Sequence, residues 1–265
     1  MAVPIDTEEL AFRAAKELDI CGIPSSEGAR KIPSARRLAI ERPQDLAPYI
    51  EHTALKPETT RQAVFTLCEE AKRFGFRGVC VNPMFVEEAK RQLAGSMCIV
   101  VTVVGFPLGA NLSDTKAQET KAVVSKGADE VDMVIPVGAL KAGEYPAVFD
   151  HVKAVVRAAG GAVPVKVILE TVLLDEYQKV LGCLLAARAG AAFVKTSTGF
   201  ALVRKPGTFA TGGATVEDVS LMRKVVGDRI GIKAAGGITD FLTARDMVAA
   251  GADRIGCSAS VAIVS

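Results

Sequence analysis

From about residue 49 onward, short apolar runs rich in Val and Ile alternate with longer segments in which apolar residues recur at helical spacing. The runs predict strands over residues 49–53, 78–81, 97–104, 130–135, 165–169, 193–195, 230–234 and 254–256. Helices are expected between them, beginning near Thr59, Met84, Ser113, Tyr145, Asp175, Thr215 and Thr239, with a short last one over 261–265. Strands separated by helical crossovers build a parallel sheet, because parallel neighbours cannot be joined by a tight turn.

A weak internal repeat narrows the architecture. Lys126-Gly127-Ala128-Asp129, Ala189-Gly190-Ala191-Ala192 and Ala250-Gly251-Ala252-Asp253 each follow a helix and precede a strand. Glycine after a helix supplies a left-handed cap, and the small alanine lets the chain turn straight into the sheet. Repetition of one connection favours a closed (β/α)8 barrel of the TIM type over an open doubly wound sheet, and no Gly-x-Gly-x-x-Gly follows the first strand. Before the barrel, Asp6 and Glu9 have the spacing of a capping box, and Leu10, Ala14 and Leu18 continue a helical stripe. The pattern then dissolves into Gly, Pro, Ser and basic residues. Residues 1–45 are therefore expected to form a helix and linker extension, and 46–265 the barrel domain.

Composition changes this picture in a few respects. The 32 basic and 30 acidic residues nearly cancel, giving no reason for a general affinity for nucleic acid or anionic membrane, so any phosphate recognition should be local. No apolar segment is long enough to span a bilayer. Asp6, Glu8, Glu9, Glu17 and Asp19 interrupt the region where a signal peptide would need its apolar core, which predicts a cytosolic protein. The six cysteines are scattered without a Cys-x-x-Cys pair and read as buried small hydrophobes in a reducing compartment. His52 and His151 lack ligand-spaced neighbours, so neither a protein metal site nor a cofactor is expected.

In a (β/α)8 barrel, chemistry gathers at the C-terminal ends of the strands. The candidates there are Glu51 and His52, Cys80 and Asn82, Asp132, Lys166 and Glu170, Lys195, and Lys233. A strand-end lysine taken alone ordinarily snorkels to solvent. Three lysines embedded in apolar strands are costly unless the strands share a partly wet cavity where charges find partners. Lys195 and Lys233 fall on neighbouring barrel strands, where a nearby ammonium and burial would both favour neutral amine, a nucleophile for carbonyls. The alternative is that both simply pair with carboxylates. Asp132, on one face with Glu130 and Val134, suits a salt-bridge partner or a proton carrier, and the roles are compatible. Glycine-bearing turns at Thr198-Gly199, Gly236-Gly237 and Gly256-Cys257-Ser258 are either backbone devices or a converging phosphate site.

The motifs Ile50-Glu51-His52-Thr53-Ala54-Leu55-Lys56-Pro57, Val79-Cys80-Val81-Asn82-Pro83, Gly105-Phe106-Pro107-Leu108-Gly109, Glu130-Val131-Asp132-Met133-Val134, Phe193-Val194-Lys195-Thr196-Ser197-Thr198-Gly199, Gly212-Gly213-Ala214-Thr215-Val216-Glu217-Asp218-Val219 and Ile232-Lys233-Ala234-Ala235-Gly236-Gly237-Ile238 together resemble the deoxyribose-phosphate aldolase family, over roughly residues 46–264. The resemblance implies reversible, metal-free cleavage of 2-deoxy-D-ribose 5-phosphate to D-glyceraldehyde 3-phosphate and acetaldehyde. It implies Lys195 as Schiff-base lysine, Lys233 as its perturbing neighbour and Asp132 as relay acid. Gly199, Gly236, Gly237 and Ser258 match phosphate-holding positions, Cys80 and Lys166 match pocket residues, and the family habit implies a possible homodimer.

The chain departs from the family in several places. Residues 201–209 are inserted where the family connects directly; they are expected as a solvated excursion, the other option being anion contacts from Arg204 and Lys205. Glu51 stands where the family commonly has Asp, Ala259 replaces a common Ser, and the tyrosine-ended tail of some members is missing. A catalytically silent phosphosugar-binding barrel and another Schiff-base aldolase or transaldolase are the competing readings.

Overall fold

The computed structural model describes residues 6–25, 40–205 and 208–265. Eight parallel strands close into a barrel: β1 (Ile50–Ala54), β2 (Gly78–Val81), β3 (Ile99–Val104), β4 (Glu130–Val134), β5 (Val165–Ile168), β6 (Phe193–Lys195), and, after a two-stranded hairpin of β7 (Leu202–Lys205) and β8 (Thr208–Thr211), β9 (Gly231–Ala235) and β10 (Arg254–Cys257). β6 pairs directly with β9 and β10 closes on β1, so the hairpin stands outside the barrel wall.

Among the described residues, ten α-helices accompany the strands: α1 (Thr7–Ile20), α2 (Arg61–Phe74), α3 (Val86–Gln92), α4 (Ser113–Ser125), α5 (Val137–Lys141), α6 (Tyr145–Ala158), α7 (Glu176–Arg188), α8 (Val216–Val226), α9 (Phe241–Ala250) and α10 (Ser260–Val264). Several starts are set by hydroxyl or carboxylate caps. Thr60, Asp175, Thr215 and Asp240 each accept a backbone N–H from three residues on, satisfying a donor the first turn leaves open. Asp6 caps α1 through Glu8 N rather than Glu9 N. Among the described residues, no helix is long and apolar enough to cross a membrane.

The repeated connection has one geometry in all three copies. Gly127, Gly190 and Gly251 take φ of 98°, 92° and 122°, and the next residue's N–H donates to a carbonyl five residues back, closing a Schellman turn. The residue after that enters the sheet: Asp129 N, Ala192 N and Asp253 N each donate to the preceding strand at 2.8 Å. In two copies the carboxylate returns the bond, Asp129 Oδ2 accepting from Val100 N and Asp253 Oδ2 from Ile232 N, both at 2.8 Å.

Apolar side chains on the outer faces of the strands pack against the helices to form the main core. Inside the barrel the apolar filling is a small cluster of Leu55, Cys80, Val101 and Val103. Much of the remaining interior is charged, which is where the chemistry lies. α1 lies across α7 and α8 with Ala14 and Leu18 buried, and Arg188 at the end of α7 donates to Asp19 Oδ1, Ile23 O and Ala15 O. The linker expected after α1 falls largely on residues 26–39, outside the described residues.

The inserted segment stands off the barrel as a hairpin. β7 and β8 pair antiparallel, Leu202 with Thr211 and Val203 with Ala210, and Leu202 and Thr211 line a cavity at the barrel mouth. It is solvent-exposed as expected, Leu202 at 63% and Phe209 at 66%, while Leu202 also borders the cavity. The side chains of Arg204 and Lys205, the expected anion contacts, lie outside the described residues.

Candidate active site

Alternation along each strand sends every second side chain inward, and register decides which of these meet. Asp132 on β4 is the register partner of Lys166 on β5, and Lys195 on β6 that of Lys233 on β9. Lys195 Nζ and Lys233 Nζ both reach Asp132 Oδ2, at 2.8 and 2.7 Å, while Lys166 Nζ lies 2.8 Å from Asp132 Oδ1 and 2.6 Å from Glu130 Oε2. Lys233 also donates to Glu51 Oε2. The pair of lysines and the paired carboxylate foreseen as alternatives thus coexist, since one carboxylate oxygen is shared by both amines.

Two glycines make room for this cluster. A methyl group at Gly256 would stand 2.8 Å from Lys233 Cε, and one at Gly231 2.2 Å from the Phe193 ring. That ring lies inside the barrel, its centroid 5.8 Å from Lys166 Nζ and 5.5 Å from Arg254 Cζ, a cation–π arrangement.

The electrostatics separate the three lysines. Burial pushes the Lys195 amine below its ordinary range; Asp132 opposes that effect, and the Lys233 charge adds to it. Burial also disfavours charge on Lys233, but Asp132 and Glu51 outweigh it and hold that ammonium well above the usual value. Lys166 is likewise held up, against burial, by Asp132, Glu130 and Glu51. For Asp132, burial favours the neutral acid, yet Lys166, Lys195 and Lys233 together keep it firmly ionised. The result is one amine poised to lose its proton beside a fixed carboxylate and two fixed ammoniums.

Above the cluster opens a cavity of about 730 Å³, lined by Lys195, Gly199, Gly236, Gly237 and Ser258 together with the hairpin residues and the loop from Thr53 to Ala63. Gly199, Gly236 and Gly237 have φ of 83°, 87° and 74°, and the first two pack backbone to backbone, a Cβ on Gly236 standing 3.5 Å from Gly199 Cα. Such left-handed turns aim consecutive N–H groups at one place, the geometry of an anion nest. Phe106 meets Phe200 edge to face at 5.3 Å beside this rim.

Of the residues expected from sequence, Lys195, Gly199, Gly236, Gly237 and Ser258 therefore reach the cavity. Asp132, Lys233, Lys166 and Cys80 are fully buried beneath it and touch it only through Lys195 and one another. Burial raises the Cys80 thiol above its ordinary range, so it is not a nucleophile here. His52 faces outward, its Nε2 2.7 Å from Glu70 Oε2 on α2. Glu170 was among the strand-end candidates without an assigned role. It is left-handed at φ 59° and accepts from Thr198 N at 3.2 Å and from Thr198 Oγ1, bracing the turn that carries Gly199. Glu51, Glu130 and Arg254 complete the ionic cluster, with Arg254 Nε 3.8 Å from Glu51 Oε1. Glu130 is on the face of Asp132 as alternation predicts; counting back by two from Gly256 would have found Arg254 as well.

The DeoC/LacD family aldolase model matches residues 48–264. A deoxyribose-phosphate aldolase from Listeria welshimeri is 52% identical over 220 residues, covering 83% of this chain and 95% of that protein. Among solved structures, one from Coccidioides immitis, provisionally assigned as a deoxyribose-phosphate aldolase, superposes with a TM-score of 0.81 at 35% identity, covering 98% and 97% of the two chains. The tetrameric deoxyribose phosphate aldolase of Aeropyrum pernix gives 0.76 at 32% identity, covering 90% and 97%. With a buried lysine pair on adjacent strands under a glycine-rimmed cavity, and a family match running from just before the first barrel strand to the last helix, this chain belongs to the DeoC/LacD family of aldolases.

Proposed function

We propose that this aldolase reversibly cleaves 2-deoxy-D-ribose 5-phosphate to D-glyceraldehyde 3-phosphate and acetaldehyde through a Schiff base on Lys195. The observation that carries the reading is Lys195, the single lysine among the described residues whose amine both reaches the cavity and is pushed toward its neutral form. Neutral Lys195 Nζ adds to the aldehyde carbon of the open-chain sugar, and loss of water leaves an iminium. Removal of the C3 hydroxyl proton sends the C2–C3 bonding electrons into that iminium, releasing glyceraldehyde 3-phosphate and leaving an enamine. Protonation of the enamine carbon and hydrolysis free acetaldehyde and restore the amine.

Asp132 is held ionised, so it passes protons rather than storing them; Lys233 is the charged reservoir on the same oxygen. The backbone turns at Gly199 and Gly236-Gly237, with Ser258, hold the phosphate at the rim, and Cys80 and Lys166 support the cluster from below. The same reading assigns residues 46–265 to the catalytic barrel and 1–45 to an extension. It places the enzyme in the cytoplasm, in the breakdown of nucleotide-derived deoxyribose phosphate, as a homo-oligomer of at least two chains. Oligomerisation is supported by the tetramer described for the Aeropyrum pernix protein.

Incubation with acetaldehyde and borohydride tests the assignment. Reduction should fix an ethyl group on Lys195 alone, found by peptide mass, and retro-aldol turnover should be seen with the sugar phosphate. A chain that binds phosphosugar without forming the adduct would be a silent binding barrel. An adduct without acetaldehyde release from the deoxysugar would indicate a different Schiff-base aldolase.

A further inference from the structure

The ionic cluster does not stop at the reacting lysine. It continues down the barrel axis to the opposite end of the strands, where Glu130 opens β4 and Arg254 opens β10. Glu130 reaches Asp132 through Lys166, with Nζ–oxygen distances of 2.6 and 2.8 Å. Arg254 lies 3.8 Å from Glu51, which contacts Lys233 and stands 3.4 Å from Lys166. Both routes converge on the Asp132 carboxylate and, at 2.8 Å, on Lys195.

The column contains three carboxylates, Glu51, Glu130 and Asp132, against four cationic side chains, Lys166, Lys195, Lys233 and Arg254. All seven are nearly or wholly shut off from water, Arg254 being the most open at 12%. With Lys195 neutral, the charges cancel. With Lys195 protonated, one positive charge is left over in a medium that screens it poorly. Two other groups face Lys195 from outside the column: the Cys80 thiol on β2, which burial pushes toward its neutral form, and Glu170 after β5, whose carboxyl is engaged by Thr198 N and Oγ1. Arg77, 4.0 Å from Glu130 at the floor, is 39% exposed and its charge is shared with solvent.

We propose that Glu130 and Arg254, at the floor of the barrel and out of contact with any substrate, are positioning residues that decide whether Lys195 carries a charge, by completing the balance of the interior column. The role rests on Lys195 being the Schiff-base lysine. Its signature is opposition of sign. Neutralising Glu130 leaves the column one positive charge in excess, so Lys195 sheds its proton more readily. Neutralising Arg254 leaves it one negative charge in excess, which protonating Lys195 cancels.

The test is the pH dependence of borohydride trapping of acetaldehyde on Lys195, in the full-length chain. On the acid limb, Glu130→Gln should trap roughly tenfold faster than wild type and Arg254→Gln roughly tenfold slower, the scale of one buried unit charge acting through the column. Arg254→Lys and the double variant Glu130→Gln/Arg254→Gln should return close to the wild-type profile. Loss of packing alone would slow both single variants at every pH without moving the limb. That result, or limbs moving the same way, overturns the proposal. If Arg254→Gln does not fold, the isosteric Glu130→Gln decides alone, an unmoved limb overturning it. No adduct in wild type at any pH would remove the aldolase assignment itself, and this inference with it.

Discussion

Lys195 and Lys233 are direct register partners on adjacent strands, and both amines rest on the same oxygen of Asp132, at 2.8 and 2.7 Å. Two like charges on one acceptor cannot be equally comfortable, and the second carboxylate available to Lys233, that of Glu51, breaks the tie. Lys233 keeps its proton and Lys195 is the one to release it.

Replacing Lys233 with Leu should therefore raise the pH at which Lys195 becomes reactive. The lost charge no longer opposes protonation, and Asp132 is left with Lys195 as a fuller ion-pair partner. Trapping at neutral pH should fall about a hundredfold and recover in alkali. A profile that keeps its shape while losing amplitude would show that the lysines are not coupled.

Asp132→Asn should act in the opposite direction on Lys195, because the carboxylate favours the charged amine. The adduct should form at lower pH than in wild type, while turnover of the sugar phosphate is lost with the proton path. Stability should drop by about 3 kcal/mol, since buried ammoniums are left short of a partner. Urea unfolding monitored beside the trapping assay separates the two effects.

A second buried lysine offers a test of stability away from the cavity. Lys116 on α4 is fully enclosed, donating to Gly109 O at 2.6 Å and Val134 O at 2.9 Å, with His151 Nδ1 at 3.5 Å. Burial lowers its pKa from 10.5 to about 8, opposed only by Glu119. Across that window the unfolded chain binds more protons than the folded one, so stability attributable to Lys116 rises as pH climbs from 8 to 10.5. Relative to Lys116→Met, wild type should gain about 3 kcal/mol of unfolding free energy over the window. A constant difference across pH would show that Lys116 does not titrate there.

The hairpin predicts a split between binding and chemistry. Leu202 and Thr211 wall the cavity but do not touch the lysine cluster. Joining Phe200 directly to Ala210 should leave acetaldehyde trapping on Lys195 within about twofold of wild type and raise KM for the sugar phosphate about tenfold, as the rim opens to water. Equal losses in both assays would mean that the hairpin instead supports β6.

The barrel was legible in the chain because its strands are short Val- and Ile-rich runs separated by capped helices, and most strand ends fell within a residue or two of expectation. Met97 is nearly fully exposed and β3 starts only at Ile99, since hydrophobicity alone does not show where pairing begins. The lysine pair was legible because charge inside apolar runs is rare. His52 was not, because adjacency to Glu51 hides the alternation that turns it outward. Lys116 sits in a polar helical stretch whose acceptors are backbone carbonyls from two other segments, and no side-chain pattern announces those. The hairpin strands are four residues each, too short to stand out from a loop.

Arg188 gives the extension a consequence for anyone shortening this protein. Its guanidinium is tied to three acceptors on or just after α1, yet it is the last residue of its own helix, and a short turn leads from it into the strand that carries Lys195. Trimming the chain to residues 48–264, the span that matches the family model, would strand that cation on the α7 surface without these three acceptors. A minimal version of the enzyme therefore needs a second edit, a new residue at position 188, before its catalytic properties can be compared fairly with those of the intact chain.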